Sequence, residues 1–358
     1  MEISHILFIG FAFFAVLGGL DRILGNRFGL GAAFERGIMS IGALMLTMTG
    51  MIVLSPVLAN LLEPVIVPYY RWLKVDPAMF AGSFLACDMG GASLAKELTQ
   101  DPQAAALGGI ICSSMLGVTI TFTIPVAMGT VAQNDRPYVA KGILCGVITV
   151  PFGILTGGLV AGIPFAKVVI NTLPIIPLAL LIALGLWKFE ALLIKLFTYF
   201  GKLMTALATV GLIAALAQKL TGWVIILGMS PIEDAILTVG EIALLLAGAF
   251  PLMWLVQKLL NKPLVALGRR MRVNETSVTG LLTSTVNSIA MFDTVKEMDT
   301  RGKVLNMAFA VSASFVFGDH LAFTGGWSPS LIPALIVGKL TAGLTALGIA
   351  IRMTKKDA

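Results

Sequence analysis

The sequence predicts an all-α polytopic membrane protein, with about nine spanning helices plus two re-entrant hairpins in an inverted repeat. Three observations predict it. Hydrophobic residues fill 57% of the 358 positions and charged ones 12%, with a mean hydropathy of +0.94, whereas soluble domains carry about 25% charged residues. Several apolar runs approach or exceed the ~20 residues that cross a bilayer. Two further segments, Pro77 to Leu98 and Glu275 to Met298, are interrupted near the middle by polar or small residues.

In chain order, the runs Ile3 to Leu20, Gly37 to Leu62, Ala104 to Val131, Val139 to Gly162, Val168 to Trp187 and Leu193 to Ala217 read as spans. Ala235 to Val256, Val304 to Phe323 and Leu331 to Ile351 complete them. The start, Met1-Glu2-Ile3-Ser4-His5, lacks a basic n-region, so the first run is read as a retained helix. The whole chain, 1–358, reads as one transmembrane domain. Residues 1–165 form a first repeat half, 166–190 a connecting helix and 191–358 a second half.

The net charge of +6 does not point to nucleic acid, because the basic residues sit in short connections between apolar runs. Cys87, Cys112 and Cys145 are widely spaced with no C-x-x-C pattern, so neither a disulfide framework nor a metal site is expected. The stretch from Lys258 to Arg272 carries Lys258, Lys262, Arg269, Arg270 and Arg272 without an acid, and reads as a cytoplasmic loop. The tail with Arg352, Lys355 and Lys356 is also expected inside. Both hold only if one of the three segments between them is a hairpin. Treating Pro77 to Leu98 alike gives N-terminus out, C-terminus in, and opposed hairpins.

Internal echoes agree with an inverted repeat. Lys96-Glu97 recurs as Lys296-Glu297, Ser113-Ser114 as Ser312-Ala313-Ser314, and Ala140-Lys141-Gly142 as Gly338-Lys339-Leu340. The helix after each hairpin is expected to break, near Gly117 and Gly318. Inverted repeats with broken helices meeting at the midplane characterise many secondary transporters.

Five acids fall inside apolar segments, namely Asp88, Glu241, Glu275, Asp293 and Asp319, and no Lys or Arg is expected at comparable depth. A charge at bilayer depth costs roughly 2.5–3.5 kcal/mol on insertion scales and persists mainly where it meets a partner, a cavity or a pathway. The pathway should therefore favour cations. Asp88 precedes Gly90-Gly91, where unwinding costs little, and is the first candidate to bind an ammonium. At the second tip, Ser284-Thr285-Val286-Asn287-Ser288 offers hydroxyls and an amide, suited to a substrate hydroxyl or to hydrogen bonding between helices. Asp319-His320 after Gly318 is a binding or proton-carrying pair, or a pair that fixes packing. Thr119 and Thr121 are weaker candidates, because threonine also bonds back to its own helix. Phe122, Phe317, Phe323 and Trp327 could form an aromatic face for a cation, although packing is the commoner role. Glu275 after Asn274 also reads as a helix-start residue. No nucleophile–base pair, phosphate loop or zinc motif is present, so an enzyme and a cofactor are not expected.

Longer motifs then carry a resemblance. Leu85-Ala86-Cys87-Asp88-Met89-Gly90-Gly91, Ala95-Lys96-Glu97-Leu98, Met298-Asp299-Thr300-Arg301-Gly302-Lys303, Gly318-Asp319-His320-Leu321 and Ile336-Val337-Gly338-Lys339 resemble the ethanolamine permease family of bacterial ethanolamine-utilisation operons. The resemblance covers nearly the whole chain from Asp21-Arg22-Ile23-Leu24. It implies uptake of ethanolamine across the bacterial inner membrane, with Asp88 or Asp319 on the ammonium and Asn287, Ser288 or a threonine on the hydroxyl. At the second tip the sequence departs from the family pattern, with Asn287-Ser288 and Ala290 where two asparagines and a proline are expected. The arrangement resembles elevator-type nucleoside carriers, and a homo-oligomer in the lipid bilayer is expected. A carrier for another small amine or nucleoside, and a membrane sensor or scaffold for ethanolamine catabolism, are the alternative readings.

Overall fold

The computed structural model describes residues 3–355, without the side chains of residues 3, 4 and 260–270. Lys356 and the side chains of Lys262, Arg269 and Arg270 therefore lie outside the described residues. The described chain is helical, with no strand. In order, α1 is Ile3–Ile23, α2 Leu30–Trp72, α3 Ala78–Phe84, α4 Gly91–Leu98, α5 Pro102–Thr130, α6 Arg136–Val160 and α7 Phe165–Lys188. Then follow α8 Glu190–Thr221, α9 Ile232–Met271, α10 Glu275–Val286, α11 Ser288–Thr294, α12 Thr300–Ala313, α13 Asp319–Trp327 and α14 Ile332–Met353.

Eight helices among the described residues are long and apolar enough to cross a membrane. The expected ninth, Val304 to Phe323, is divided between α12 and α13. Residues Ser314 to Gly318 leave the helix there: Phe315 N–H donates to Ser284 O at 3.0 Å and Phe317 N–H to Thr285 O at 2.8 Å, so the unwound segment is paired with the end of α10. Phe315 adopts a left-handed φ of 59°, which costs a non-glycine residue roughly 1–2 kcal/mol and is held by that pairing.

The break expected near Gly117 does not occur. α5 runs through it in a wider π-helical form over Leu107–Gly117 and Thr119–Thr123. Gly117 instead permits contact, because a Cβ there would collide with the Leu85 carbonyl. The basic stretch expected as a loop after Lys258 is the continuation of α9, which ends only at Met271, before Arg272 with φ 54°. Leu, Ala, Lys and Arg are strong helix formers, and their charge does not end a helix.

Two helix pairs interrupt the long spans. α3 and α4 pack together, and their outer ends are tied by Thr99 Oγ1 donating to the Asp76 carboxylate at 2.8 Å. α10 and α11 do the same, with Asn274 N–H donating to Asp299 at 2.5 Å and Asn274 Nδ2 to Glu297 O at 2.8 Å. The two tied ends lie at opposite ends of α6. Asp101, just past the first pair, bonds Lys167 beyond the C-terminus of α6, and that ammonium holds the Asp101 carboxyl below its usual range. Near the second pair, Lys303 reaches Asp135, at the N-terminus of α6, at 2.5 Å. Asp21, at the end of α1, accepts from Phe28 N–H at 2.9 Å and Gly31 N–H at 2.8 Å, closing the turn into α2.

Candidate functional site

The interruption between α3 and α4 has specific causes. Leu85 and Ala86 are extended, Gly90 takes φ 95°, and a Cβ on Gly91 would meet Ser113 Oγ and lie 2.7 Å from the Leu85 and Ala86 carbonyl oxygens. The Leu85 carbonyl, released from helix, accepts from Ser113 Oγ, which fastens this tip to α5. The segment Cys87–Met89 then projects Asp88 into a cavity of about 930 Å³.

That cavity gathers residues from both interruptions. Asp88 and Asn287 come from the two tips, Asp319 and His320 from the start of α13, and Thr121 and Phe122 from α5. Phe315 from the unwound segment also lines it, with its ring 5.6 Å from Phe122 and 5.2 Å from His320. The opposite wall is α8, which presents Thr198, Gly201, Lys202, Thr205 and Thr209. Their spacing places them along one helical face, where three hydroxyls flank the Lys202 ammonium.

Behind the carboxylates lies a group the sequence reading did not anticipate at this depth. Lys339 of α14 is fully buried, and its ammonium donates to the Ser114 carbonyl of α5. The same Nζ lies 3.1 Å from His320 Nδ1. An ammonium only donates, so Nδ1 accepts and the ring proton belongs on Nε2. His320 Nε2 lies 4.0 Å from Asp88 Oδ1. A chain of four groups, Ser114 C=O, Lys339, His320 and Asp88, thus joins three helices and the first tip. The local sequence offered one signal: Lys339 is the one charge within the apolar run Leu331 to Ile351.

Other expected residues lie elsewhere. Thr119 is buried outside the cavity lining, bonding Met115 O at 2.6 Å and Val311 O at 3.1 Å across to α12. Ser288 is buried behind Asn287, with no hydrogen-bond partner for its hydroxyl among the described residues. Asn287 Oδ1 also caps α11 through Ile289 N–H at 2.9 Å. Gly90 makes room for the Met51 side chain of α2, whereas a Cβ on Gly318 would meet the Val286 carbonyl, so that glycine lets backbone dock at the break. Glu241, Glu275 and Asp293 are exposed and outside the cavity lining. Glu275 occupies the first turn of α10, where Asn274 caps the helix through Ser277 N–H at 2.9 Å.

Cys87, Asp88 and His320 offer one metal-ligating atom each within 4.8 Å of one another. The Lys339 ammonium beside His320 puts a positive charge against that cluster, which favours an anionic wall with hydrogen-bonded partners over a bound metal cation.

Eight long apolar helices, with a mostly apolar cavity that holds two carboxylates among them, define a multi-pass helical membrane protein. The chain belongs to the EutH family, described as ethanolamine utilisation protein, whose family model matches residues 3–353. It is 50% identical over 361 residues to the probable ethanolamine permease EutH of Listeria monocytogenes, covering 100% of this chain and 97% of that protein. It is 45% identical to the uncharacterized protein YxeR of Bacillus subtilis, covering 99% and 96%. It is also 42% identical to the probable ethanolamine permease EutH of Salmonella typhimurium, covering 100% and 97%. No solved structure matches it.

Proposed function

We propose that this protein moves ethanolamine, as its ammonium form, across the bacterial inner membrane by facilitated diffusion or secondary transport. One observation carries the proposal: Asp88 and Asp319 line the same cavity as Asn287 and Thr121. Ethanolamine is an ammonium and a hydroxyl on a two-carbon stem. It needs a carboxylate at one end and a neutral hydrogen-bonding group at the other, within a small enclosure. Asp88 receives the ammonium and Asn287 or Thr121 the hydroxyl. The printed names of the relatives from Listeria and Salmonella agree with this substrate.

The mechanism follows from how the wall is built. The α3–α4 and α10–α11 pairs act as opposed re-entrant hairpins of an inverted repeat. With the broken segment before α13, they form a mobile substrate unit. α8 and its threonine face act as scaffold, with the N-terminus outside and the C-terminus inside. The tied hairpin ends at opposite ends of α6 support this arrangement. In a homo-oligomer the scaffold faces would adjoin.

Labelled ethanolamine uptake into proteoliposomes tests the reading. Wild type should show saturable uptake, and Asp88→Asn should reduce it by at least about tenfold, the loss expected when a charge-assisted contact of ~1.5–3 kcal/mol disappears. Unchanged uptake by Asp88→Asn would overturn the role of that carboxylate. No uptake by wild type would overturn transport itself.

A further inference from the structure

A second cavity, of about 500 Å³, lies at one end of the bundle, lined by Lys96, Thr99, Gln103, Ile163, Trp327 and Ser328 among others. Its relation to the first cavity is defined by two short helices. Asp88 and Met89 line the first cavity just before α4 begins, and Lys96 and Thr99 line the second at its end. Asp319 and His320 line the first cavity at the start of α13, and Trp327 and Ser328 line the second at its end. α4 and α13 therefore both lead from one cavity to the other, over eight and nine residues, roughly 12–14 Å at the helical rise. Between the cavities, Cys87, Ala92, Ile110, Leu321 and Phe323 close into one buried apolar cluster.

The second cavity already holds a cation on an aromatic face. Lys96 Nζ lies 5.8 Å from the centroid of the Trp327 ring, which stacks on Phe323 at 5.8 Å and 25°. Lys96 is exposed, and no carboxylate is paired with it in the described structure. Its competitor for acidic partners, Lys167, has already taken Asp101. A tryptophan ring is the best aromatic receptor for an ammonium, and a solvated lysine on a flexible stem is a cheap occupant to displace.

We propose that this second cavity is a vestibule that binds a small primary ammonium on the Trp327 ring, with Lys96 as the displaceable resident cation. The vestibule rests on the transport reading, of which it is the far-side station: the guest passes between Trp327 and Asp88 once the Phe323 cluster opens. Lys96 sets the affinity of the station by competing for the same ring. The Trp327 ring faces the guest directly, while Phe323 positions that ring and seals the passage.

The test is a fluorescence titration with ethanolamine hydrochloride on full-length protein that keeps Trp327 alone, the other four tryptophans being replaced by phenylalanine. A saturable change is expected, persisting in the Asp88→Asn background, where the deep site is disabled. Lys96→Gln should shift its midpoint to lower concentration by about two- to fivefold, the range a cation–π contact supplies. Absence of a saturable change, its loss in Asp88→Asn, or an unmoved midpoint in Lys96→Gln overturns the proposal. Uptake by the same Trp327-only protein separates the readings. Uptake without a Trp327 response refutes the vestibule alone, and a response without uptake refutes transport while leaving an ammonium-binding cavity.

Discussion

His320 stands between two partners of opposite character, Lys339 Nζ at 3.1 Å from Nδ1 and the Asp88 carboxylate at 4.0 Å from Nε2. The Lys339 contact fixes the tautomer of the imidazole, and its Nε2–H lies near the Asp88 carboxylate but beyond hydrogen-bond reach.

Replacing Lys339 with methionine tests that support. Removing the ammonium strands two buried acceptors, the Ser114 carbonyl and His320 Nδ1, at about 1–3 kcal/mol each, so the melting temperature in detergent should fall by several degrees. Ethanolamine uptake should fall by about an order of magnitude, as expected for loss of a hydrogen bond to a charged group. Full uptake per folded molecule, measured after matching the amounts of folded protein, would make Lys339 a packing residue only.

Gly117→Ala should destabilise the docking of the first tip, because the new methyl meets the Leu85 carbonyl. Overpacking of this kind costs about 1–3 kcal/mol, read as a lower unfolding temperature. Gly348 of α14 is the matched control, having nothing within 4 Å of an added Cβ. Gly348→Ala should be neutral or stabilising by up to ~1 kcal/mol, from helix propensity alone.

Ser288→Ala removes a buried hydroxyl with no partner. Its loss should raise stability by about 1 kcal/mol, since leaving a polar group unsatisfied costs ~1–3 kcal/mol. Denaturation in detergent checks this, and a fall in stability would show that the hydroxyl is paired in the working protein.

Lys303 and Asp135 form a pair whose side chains are 9% and 14% exposed. Lys303→Met should cost about 3 kcal/mol, because it strands a mostly buried carboxylate. Adding Asp135→Leu should recover most of the loss. A double variant as unstable as the single one would contradict the pairing.

The acids at the two breaks were legible in the sequence because a carboxylate in an apolar run is anomalous wherever it sits. Asp88 and Asp319 are both in the cavity, as is Asn287 at the second tip. Gly318 marked a real break and Gly117 did not, because glycine serves equally well for unwinding and for close approach of one backbone to another. Hydropathy could not register the unwound Ser314 to Gly318, whose Phe315, Val316 and Phe317 are as apolar as a span. The break is made by the Ser284 and Thr285 carbonyls, some thirty residues away. Lys339 entered as an echo of Lys141 and as the end of a family motif, but with no depth or role, since its partners, His320 and the Ser114 carbonyl, lie 19 and 225 positions distant. The threonine face of α8 was likewise silent, as its periodicity says which residues share a side but not that a cavity adjoins it.

The ammonium of Lys339 also bears on which guests the cavity completes. At formal charge, Asp88 and Asp319 contribute two negatives, Lys202 of the lining one positive and Lys339 behind His320 another, so the wall is balanced before any guest arrives. A guest ammonium therefore has to draw a carboxylate out of an existing balance, at a depth where any residual charge is expensive. Under the proposed transport reading, each further charge on the guest widens the excess, so valence as well as shape bears on the cargo.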